Sequence, residues 1–307
     1  MYRYRESLLS RQLYDFNKNN IIKKDNPIVD SNKNKFESVY CGLWYIRKMF
    51  KKIVGSDVFD EEQLLSKEEM ENDCSVLDVE SIPRVAVYTC IVGGYDKLWE
   101  PLYKSEYCDF YAITDFAIDQ ESIWQRIDYR DYENSIERKD SVYINRWFKM
   151  HPHKIFFKYD YSIYIDGNVL IVADVIPLVL KMVKDNNWLG MHSHYARKYL
   201  KSEAEAIIKR KKNVDKVLLR KQINNYMKDG YNDDVRLLEA TIIIRKHNDS
   251  KCIEVMEDWW EEFLRGVPRD QISLPYVLWK NGLSMDNITV LGKNEYLNPR
   301  FVINKHS

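Results

Sequence analysis

The sequence lacks a cysteine framework. Its five cysteines, Cys41, Cys74, Cys90, Cys108 and Cys252, are odd in number, widely spaced and without a C-x-x-C pair. This indicates neither a zinc site nor a set of disulfides, and a reducing compartment fits best. No run approaches the roughly 18 apolar residues of a membrane span. The opening MYRYRESLLSRQLYDF lacks the apolar core of a secretory signal, so the expected location is cytoplasmic. Net charge is missing too: 47 Lys and Arg balance 47 Asp and Glu. There is no global pull toward nucleic acid or anionic lipid, no nucleic-acid partner is expected, and any basic surface is local. No internal repeat or low-complexity linker follows Pro83.

What is present is the composition of an ordinary globular chain, 45% hydrophobic and 31% charged over 307 residues, enough for one main domain with an extension. Residues 1–83, rich in Asn, Lys, Asp and Glu, read as a mostly helical N-terminal extension. Within it, Val39, Leu43, Ile46, Met49, Phe50 and Ile53 recur at helical spacing with Arg47, Lys48, Lys51 and Lys52 between them. Two readings of 37–54 stand: a helix docked on the main domain or a second subunit, which we prefer, or peripheral contact with the inner face of an anionic membrane.

From residue 84 the pattern changes to short apolar runs alternating with helical segments, the mark of an α/β sheet whose ligands sit beyond the carboxyl ends of its strands. Val85 to Ile91 predicts a buried parallel strand leading into Gly93 and Gly94, where a ligand can approach the backbone closely. CDFYAITD predicts a second strand ending at Asp115, and a third begins near Trp124. Ser141 to His151 reads as a helix carrying Arg146 and Lys149 within one turn, whose alternative partners are Asp140 or Glu137. In YSIYIDGNVLI, read as one central strand, Asp166, Gly167 and Asn168 interrupt an apolar run. That is costly unless they meet a ligand, a metal or water. His192 and His194 are placed on one strand face. Residues 198–229 read as strongly helical and basic. LLEATIIIRKHN is a further strand with Glu239 at its start, and Asp270 sits at the start of an apolar helix, where capping and pairing with Arg269 is its structural alternative.

The motifs VYTCIVGGYD, ITD, the series Arg146, Lys149, Pro152, His153, Lys154, then YSIYIDGNVLI, HYARKYLKSEAEA, IIIRKHN, the Trp259 and Trp260 pair and RDQISLPYVL together resemble a glycosyltransferase-like domain of unknown function shared by bacterial polysaccharide loci and plant proteins. The resemblance spans about 84–282, leaves the N-terminal extension outside, and implies a GT-A (Rossmann-like) nucleotide-sugar-binding fold over 84–307, distantly similar to family 8 glycosyltransferases. It implies transfer of a sugar from a nucleotide-diphosphate sugar, UDP-sugar favoured, to a carbohydrate acceptor, in capsule or cell-surface polysaccharide synthesis. The implied cofactor is Mn²⁺ or Mg²⁺ on Asp166 and Asn168, with His306 as a late ligand and His192 or His194 as alternatives. Asn168 stands where such enzymes usually carry a second Asp, and it offers only a neutral oxygen.

By the same resemblance Thr89, Tyr95 and Asp115 hold the nucleoside, and Arg146 and Lys149 meet the diphosphate. His194, Arg197, Arg269 and Gln271 contact substrate, while Tyr195, Trp259 and Trp260 are further candidates for the acceptor side. Asp270 and Glu239 are the catalytic carboxylates, and the family 8 likeness favours retention of stereochemistry. A metal-dependent hydrolase at the same site, and an inactive nucleotide- or glycan-binding module, are the alternatives.

Overall fold

The computed structural model describes residues 82–209, 214–292 and 294–306. The amphipathic segment 37–54 lies outside the described residues, as does the rest of the extension up to 81. The elements are β1 (Val85–Ile91), β2 (Cys108–Thr114), β3 (Trp124–Asp128), α1 (Ser141–Met150), β4 (Tyr161–Ile165), β5 (Val169–Ile171), α2 (Ile176–Asp185), β6 (Leu189–Ser193), α3 (Leu200–Lys209), α4 (Lys216–Lys228), β7 (Leu238–Arg245), α5 (Ser250–Arg265), α6 (Asp270–Lys280), β8 (Ile288–Val290) and β9 (Phe301–Ile303). Seven strands form one sheet in the order β3-β2-β1-β4-β7-β6-β8, and β5 pairs with β9 in a separate ribbon. β1, β2, β3 and β4 run parallel. β7 is antiparallel to both its neighbours, β4 and β6. This is the mixed α/β sheet that the alternation of strands and helices predicts.

The period-2 geometry of a strand sorts its side chains onto two faces, and here both are covered. Ala86, Tyr88 and Cys90 of β1, Tyr164 of β4 and Ile243 of β7 join one core with Trp147 and Phe148 of α1 and Trp259 of α5. Val85 and Val87, Ile163 and Ile165, Ile242 and Ile244 join the other with Val179 and Met182 of α2. Strands buried on both faces must be apolar throughout, which is why β1 and β4 read as continuous runs rather than alternating ones.

Several elements depart from expectation. The segment 161–171 is two strands in two sheets. Asp166, Gly167 and Asn168 form the corner between them, closed by the Val169 amide donating to the Asp166 carbonyl at 3.0 Å. Continuous apolar character hid the break because Val169 and Ile171 of β5 are buried, as β4 is in the main sheet. Residues 198–229 hold two helices, α3 and α4. Trp259 and Trp260 are core, at 0% and 3% exposure, because their helix packs its apolar face against α1 and the sheet; neither can line an acceptor pocket.

Helix α1 is held at both ends. Asp140 caps its start by accepting from the Tyr143 amide. At its end, the fully buried Arg245 of β7 donates Nη1 to the Lys149 carbonyl at 2.6 Å and Nη2 to the Tyr88 hydroxyl at 2.6 Å. A guanidinium among terminal carbonyls is favourable there, and it sets the azimuth of the last turn. Pro152, His153 and Lys154 continue past this end, and His153 and Lys154 bind Glu257 of α5 at 3.0 and 2.8 Å. Their role is to tie α1 to α5.

Gly167 is required by packing. A Cβ on it would lie 2.9 Å from Ile91 Cγ1 and 3.0 Å from Asp96 Cβ, closer than carbon atoms approach. Gly167→Ala is expected to lower stability by about 1–3 kcal/mol, read as a reduced Tm in thermal unfolding; an unchanged Tm would show that the corner relaxes freely.

Candidate active site

The carboxyl ends of β1, β2, β4 and β6 and the amino end of the reversed strand β7 all open on one edge of the sheet. The chemistry-bearing residues gather there. At the β1 and β2 ends, Asp115 Oδ2 accepts from the Gly93 amide at 2.9 Å, with φ at Gly93 of +69°. A left-handed turn of this kind suits glycine and leaves room for a ligand. Tyr95 in the same loop is 65% exposed. Thr89 lies inside β1 instead of in the loop, fully buried, its hydroxyl without a hydrogen-bond partner.

The central feature is a chain of four charges. Lys149, 1% exposed, places Nζ 2.7 Å from Asp270 Oδ2 and 3.4 Å from Asp166 Oδ1. Arg146, one helical turn earlier and 23% exposed, places Nε 2.9 Å from the same Asp270 oxygen. The two cations share a face of α1 because they are three residues apart. They pair across the fold with β4 and α6, and Asp140 and Glu137 are not their partners. Asp270 likewise turns away from Arg269, which precedes α6 without a side-chain cap. Burial alone would raise the Asp270 carboxyl, but Arg146 and Lys149 outweigh that and hold it well below the ordinary carboxylate range. Trp259 Nε1 donates to the Asp270 carbonyl at 3.1 Å, so the first turn of α6 is fixed from below.

Asp166 Oδ1 also accepts from the Tyr164 hydroxyl at 2.8 Å. Tyr164 was not singled out from the sequence, although its place two residues earlier on the same strand face is a usable signal. A divalent cation of the kind the resemblance implies finds at this corner the partly exposed Asp166 carboxylate and Asn168 Oδ1, which is buried without a hydrogen-bond partner. Asn168 Nδ2 donates to the Asn304 carbonyl at 2.9 Å. Among the described residues no three His, Cys, Asp or Glu side chains form a cluster able to hold a metal. A hard cation that takes most of its ligands from water and substrate phosphates needs only one or two protein oxygens, so the corner fits such an ion.

A second cluster lies around Glu239. Its Oε1 accepts from the Tyr195 amide at 3.0 Å and its Oε2 from Gln271 Nε2 at 2.8 Å. His194 Nδ1 lies 3.5 Å from Glu239 Oε1, and it accepts from the Ala196 and Arg197 amides, each at 3.1 Å. Because Nδ1 accepts, the neutral ring carries its proton on Nε2, which lies 3.7 Å from Glu203 Oε2. Arg197 pairs with Glu203 as well. Burial, and then the Glu203 charge, push the Glu239 carboxyl up to about 7, against the lowering effect of the Tyr195 amide and the Gln271 side chain. Glu203 was missed from the sequence, where it reads as one acid on a basic helix.

The two histidines do not form a pair. The strand register shifts between Met191 and His192. His192 contacts Asn298 through Nε2 at 2.9 Å, whereas His194 lies past the strand end beside Glu203 and Glu239. His306 reaches the site from the C-terminus, with Nδ1 2.9 Å from Asp96 Oδ2.

The Glu239 environment has a consequence for folding. Its folded-state pKa of about 7 lies above the ordinary 4.5, so the native state favours the neutral acid. The contribution to stability is full below about 4.5 and is lost as pH rises through about 7. Unfolding free energies of the wild type are therefore expected to fall by on the order of 2–3 kcal/mol relative to Glu239→Gln between pH 4.5 and 8. Parallel profiles would show that folding does not raise the Glu239 pKa.

The family model of the TOD1/MUCI70 glycosyltransferase-like domain matches residues 32–294. The match begins well before residue 84, so much of the segment expected to lie outside the resemblance falls within it. No curated protein matches the chain. Among solved structures, the bifunctional glycosyltransferase WbbM is similar over 70% of this chain and 40% of its own, at 11% identity and a TM-score of 0.41. Mouse xyloside xylosyltransferase 1 is similar over 67% of this chain and 84% of its own, at 6% identity and a TM-score of 0.40. The galactosyltransferase LgtC, in complex with donor and acceptor sugar analogs, is similar over 67% and 72%, at 13% identity and a TM-score of 0.34. This chain thus spans two-fifths of the length of WbbM. With a family match over most of its length, the chain belongs to the TOD1/MUCI70 glycosyltransferase-like domain family.

Proposed function

We propose that this chain is a GT-A-type glycosyltransferase that moves a sugar from a nucleotide-diphosphate sugar, with a UDP-sugar favoured, to a carbohydrate acceptor in surface polysaccharide assembly. One observation supports this above all. Two carboxylates next to the start of α6 have been pushed apart in proton affinity, Asp270 kept ionised by Arg146 and Lys149 and Glu239 raised to about 7. Environments that separate two acids in this way assign them different tasks.

In this reading the Gly93 loop, Tyr95 and Asp115 receive the nucleoside. Arg146, the more exposed of the two cations, faces the diphosphate and stabilises the charge that grows on it as the glycosidic bond breaks. Lys149 is buried and already shared by two carboxylates, so it holds Asp166 and Asp270 in position. Mn²⁺ or Mg²⁺, held by Asp166 and Asn168, would supply further neutralisation of the leaving diphosphate. Gln271, anchored to Glu239 through its amide nitrogen, presents its carbonyl oxygen to the sugar. Glu239 is the proton acceptor nearest neutrality, and a base with a pKa near the working pH is the most effective one. His194 and Arg197 fix the Tyr195 segment beside it, on the acceptor side.

Donor turnover checks this assignment. Glu239→Gln is expected to reduce transfer from UDP-sugars by about 10²–10⁴-fold, and wild-type transfer should rise with pH through about 7 as Glu239 loses its proton. Equal turnover in wild type, Glu239→Gln and Asp270→Asn would remove the assignment. Release of free sugar at an undiminished rate with every acceptor omitted would identify a hydrolase instead.

A further inference from the structure

A cleft of about 720 Å³ opens between α4, α5 and α6, and none of the residues assigned above to the donor or the base lines it. Its volume is that of a ligand site. One end of the lining is Gly266, a few residues before Asp270, and the other is Trp279 and Lys280 at the end of α6. At the rise of an α-helix, Trp279 lies about 13 Å along α6 from Asp270.

Two tyrosines build the floor. Tyr226 of α4 and Tyr276 of α6 stack with ring centroids 3.8 Å apart and planes 8° apart, and their hydroxyls fix the polar groups around them. Gln222 accepts from the Val267 amide at 2.9 Å and donates Nε2 to the Tyr226 hydroxyl at 2.6 Å. Tyr226 in turn donates to Glu262 Oε1 at 2.8 Å, and Tyr276 donates to Asp229 Oδ2 at 2.7 Å. Each carboxylate uses one oxygen on a tyrosine, and among the described residues its second oxygen has no hydrogen-bond partner. Lys221, Arg265 and Lys280 line the same cleft. Among the described residues none of them pairs with Asp229 or Glu262; the one ion pair in the group is Arg265 with Glu261.

Ions of both signs that share a cleft without neutralising each other suit a ligand that both donates and accepts at many points. A hydroxyl does both, so a polyhydroxylated chain meets the carboxylates through its protons and the cations and the Asn225 amide through its lone pairs. Trp279, half-buried with its ring 5.8 Å from that of Tyr276, adds aromatic surface for the C–H face of a sugar ring. The three cations outnumber the two acids of the lining, which argues against a cationic peptide. The geometry points to a second carbohydrate-binding site in this cleft, holding a segment of a polysaccharide chain away from its reacting end. Naming that chain as the acceptor rests on the transferase reading above, whereas the affinity of the cleft for carbohydrate does not.

Titration of the full chain with hexamers of α-glucan, β-glucan, β-xylan and α-galacturonan tests it, followed by saturation-transfer NMR and tryptophan fluorescence. The wild type is expected to bind at least one hexamer, with the same affinity in saturating UDP. Asp229→Ala should weaken that binding by about tenfold and Asn225→Ala by about threefold, the losses of a charged and a neutral hydrogen bond. Trp279→Phe should remove the fluorescence change. Asn225 is exposed and its side chain makes no hydrogen bond among the described residues, so its result stands even if Asp229→Ala folds poorly. Displacement of the hexamer by UDP, or wild-type affinity in both alanine variants, would overturn the proposal. Failure of the wild type to bind any hexamer would overturn it even where UDP-sugar turnover is intact. Hexamer binding in a chain that turns over no donor would support this site and sink only the transferase reading.

Discussion

A single ammonium group, that of Lys149, organises the site. Taking a lysine almost wholly out of water costs several kcal/mol unless it is paired and hydrogen-bonded. Here Asp270 at 2.7 Å and Asp166 at 3.4 Å provide the pairing. The demand is mutual: both carboxylates need that cation, so the corner after β4 and the first turn of α6 are drawn toward one point. Arg245 and Tyr88 position the end of α1 from the sheet, and Trp259 holds the Asp270 carbonyl from α5. Much of the core around the active edge serves to keep that ammonium where it is.

The four charges Asp166, Lys149, Asp270 and Arg146 sum to zero, but they are not equally placed. Lys149 and Asp270 lie inside, whereas Arg146 and Asp166 stay about a quarter exposed at 23% and 24%. An anionic donor and its cation would therefore meet one positive and one negative group at the surface of a neutral, rigid cluster. Such preorganisation means little rearrangement is needed as charge develops. Glu239 belongs to a separate network with Glu203, His194 and Arg197, joined to the first through the adjacent residues Asp270 and Gln271. In the proposed reaction, proton chemistry and charge stabilisation are divided between these neighbouring networks.

Much of the fold was legible because strand signals in the main sheet are strong. Val85 to Tyr88 and Ile242 to Ile244 form unbroken runs without a charge since helices cover both faces. The split at Asp166 was not legible, because a corner flanked by two buried strands has the same sequence pattern as one interrupted strand. Asp270, Glu239, Arg146, Lys149 and Asp166 were all singled out, yet their pairings were not. Local spacing suggested Asp140, Glu137 and Arg269 as partners, and tertiary contacts more than a hundred residues apart replaced them. Asp96 was invisible for the same reason, its imidazole partner lying 210 residues away, whereas Glu203 pairs with the nearby His194 and Arg197 and gains meaning only where the fold also brings it to Glu239.

In the proposed function, the edge of the sheet above Lys149 receives a nucleotide-diphosphate sugar. A crystal structure of the chain soaked with a UDP-sugar tests this most directly. The expected density shows the diphosphate against Arg146 and the Asp166 corner, the base in the Gly93 loop beside Asp115, and the anomeric carbon facing Gln271 and Glu239. A donor bound elsewhere, such as the cleft between α4, α5 and α6 lined by Tyr226, Tyr276 and Trp279, with the Asp166 corner untouched, would contradict it.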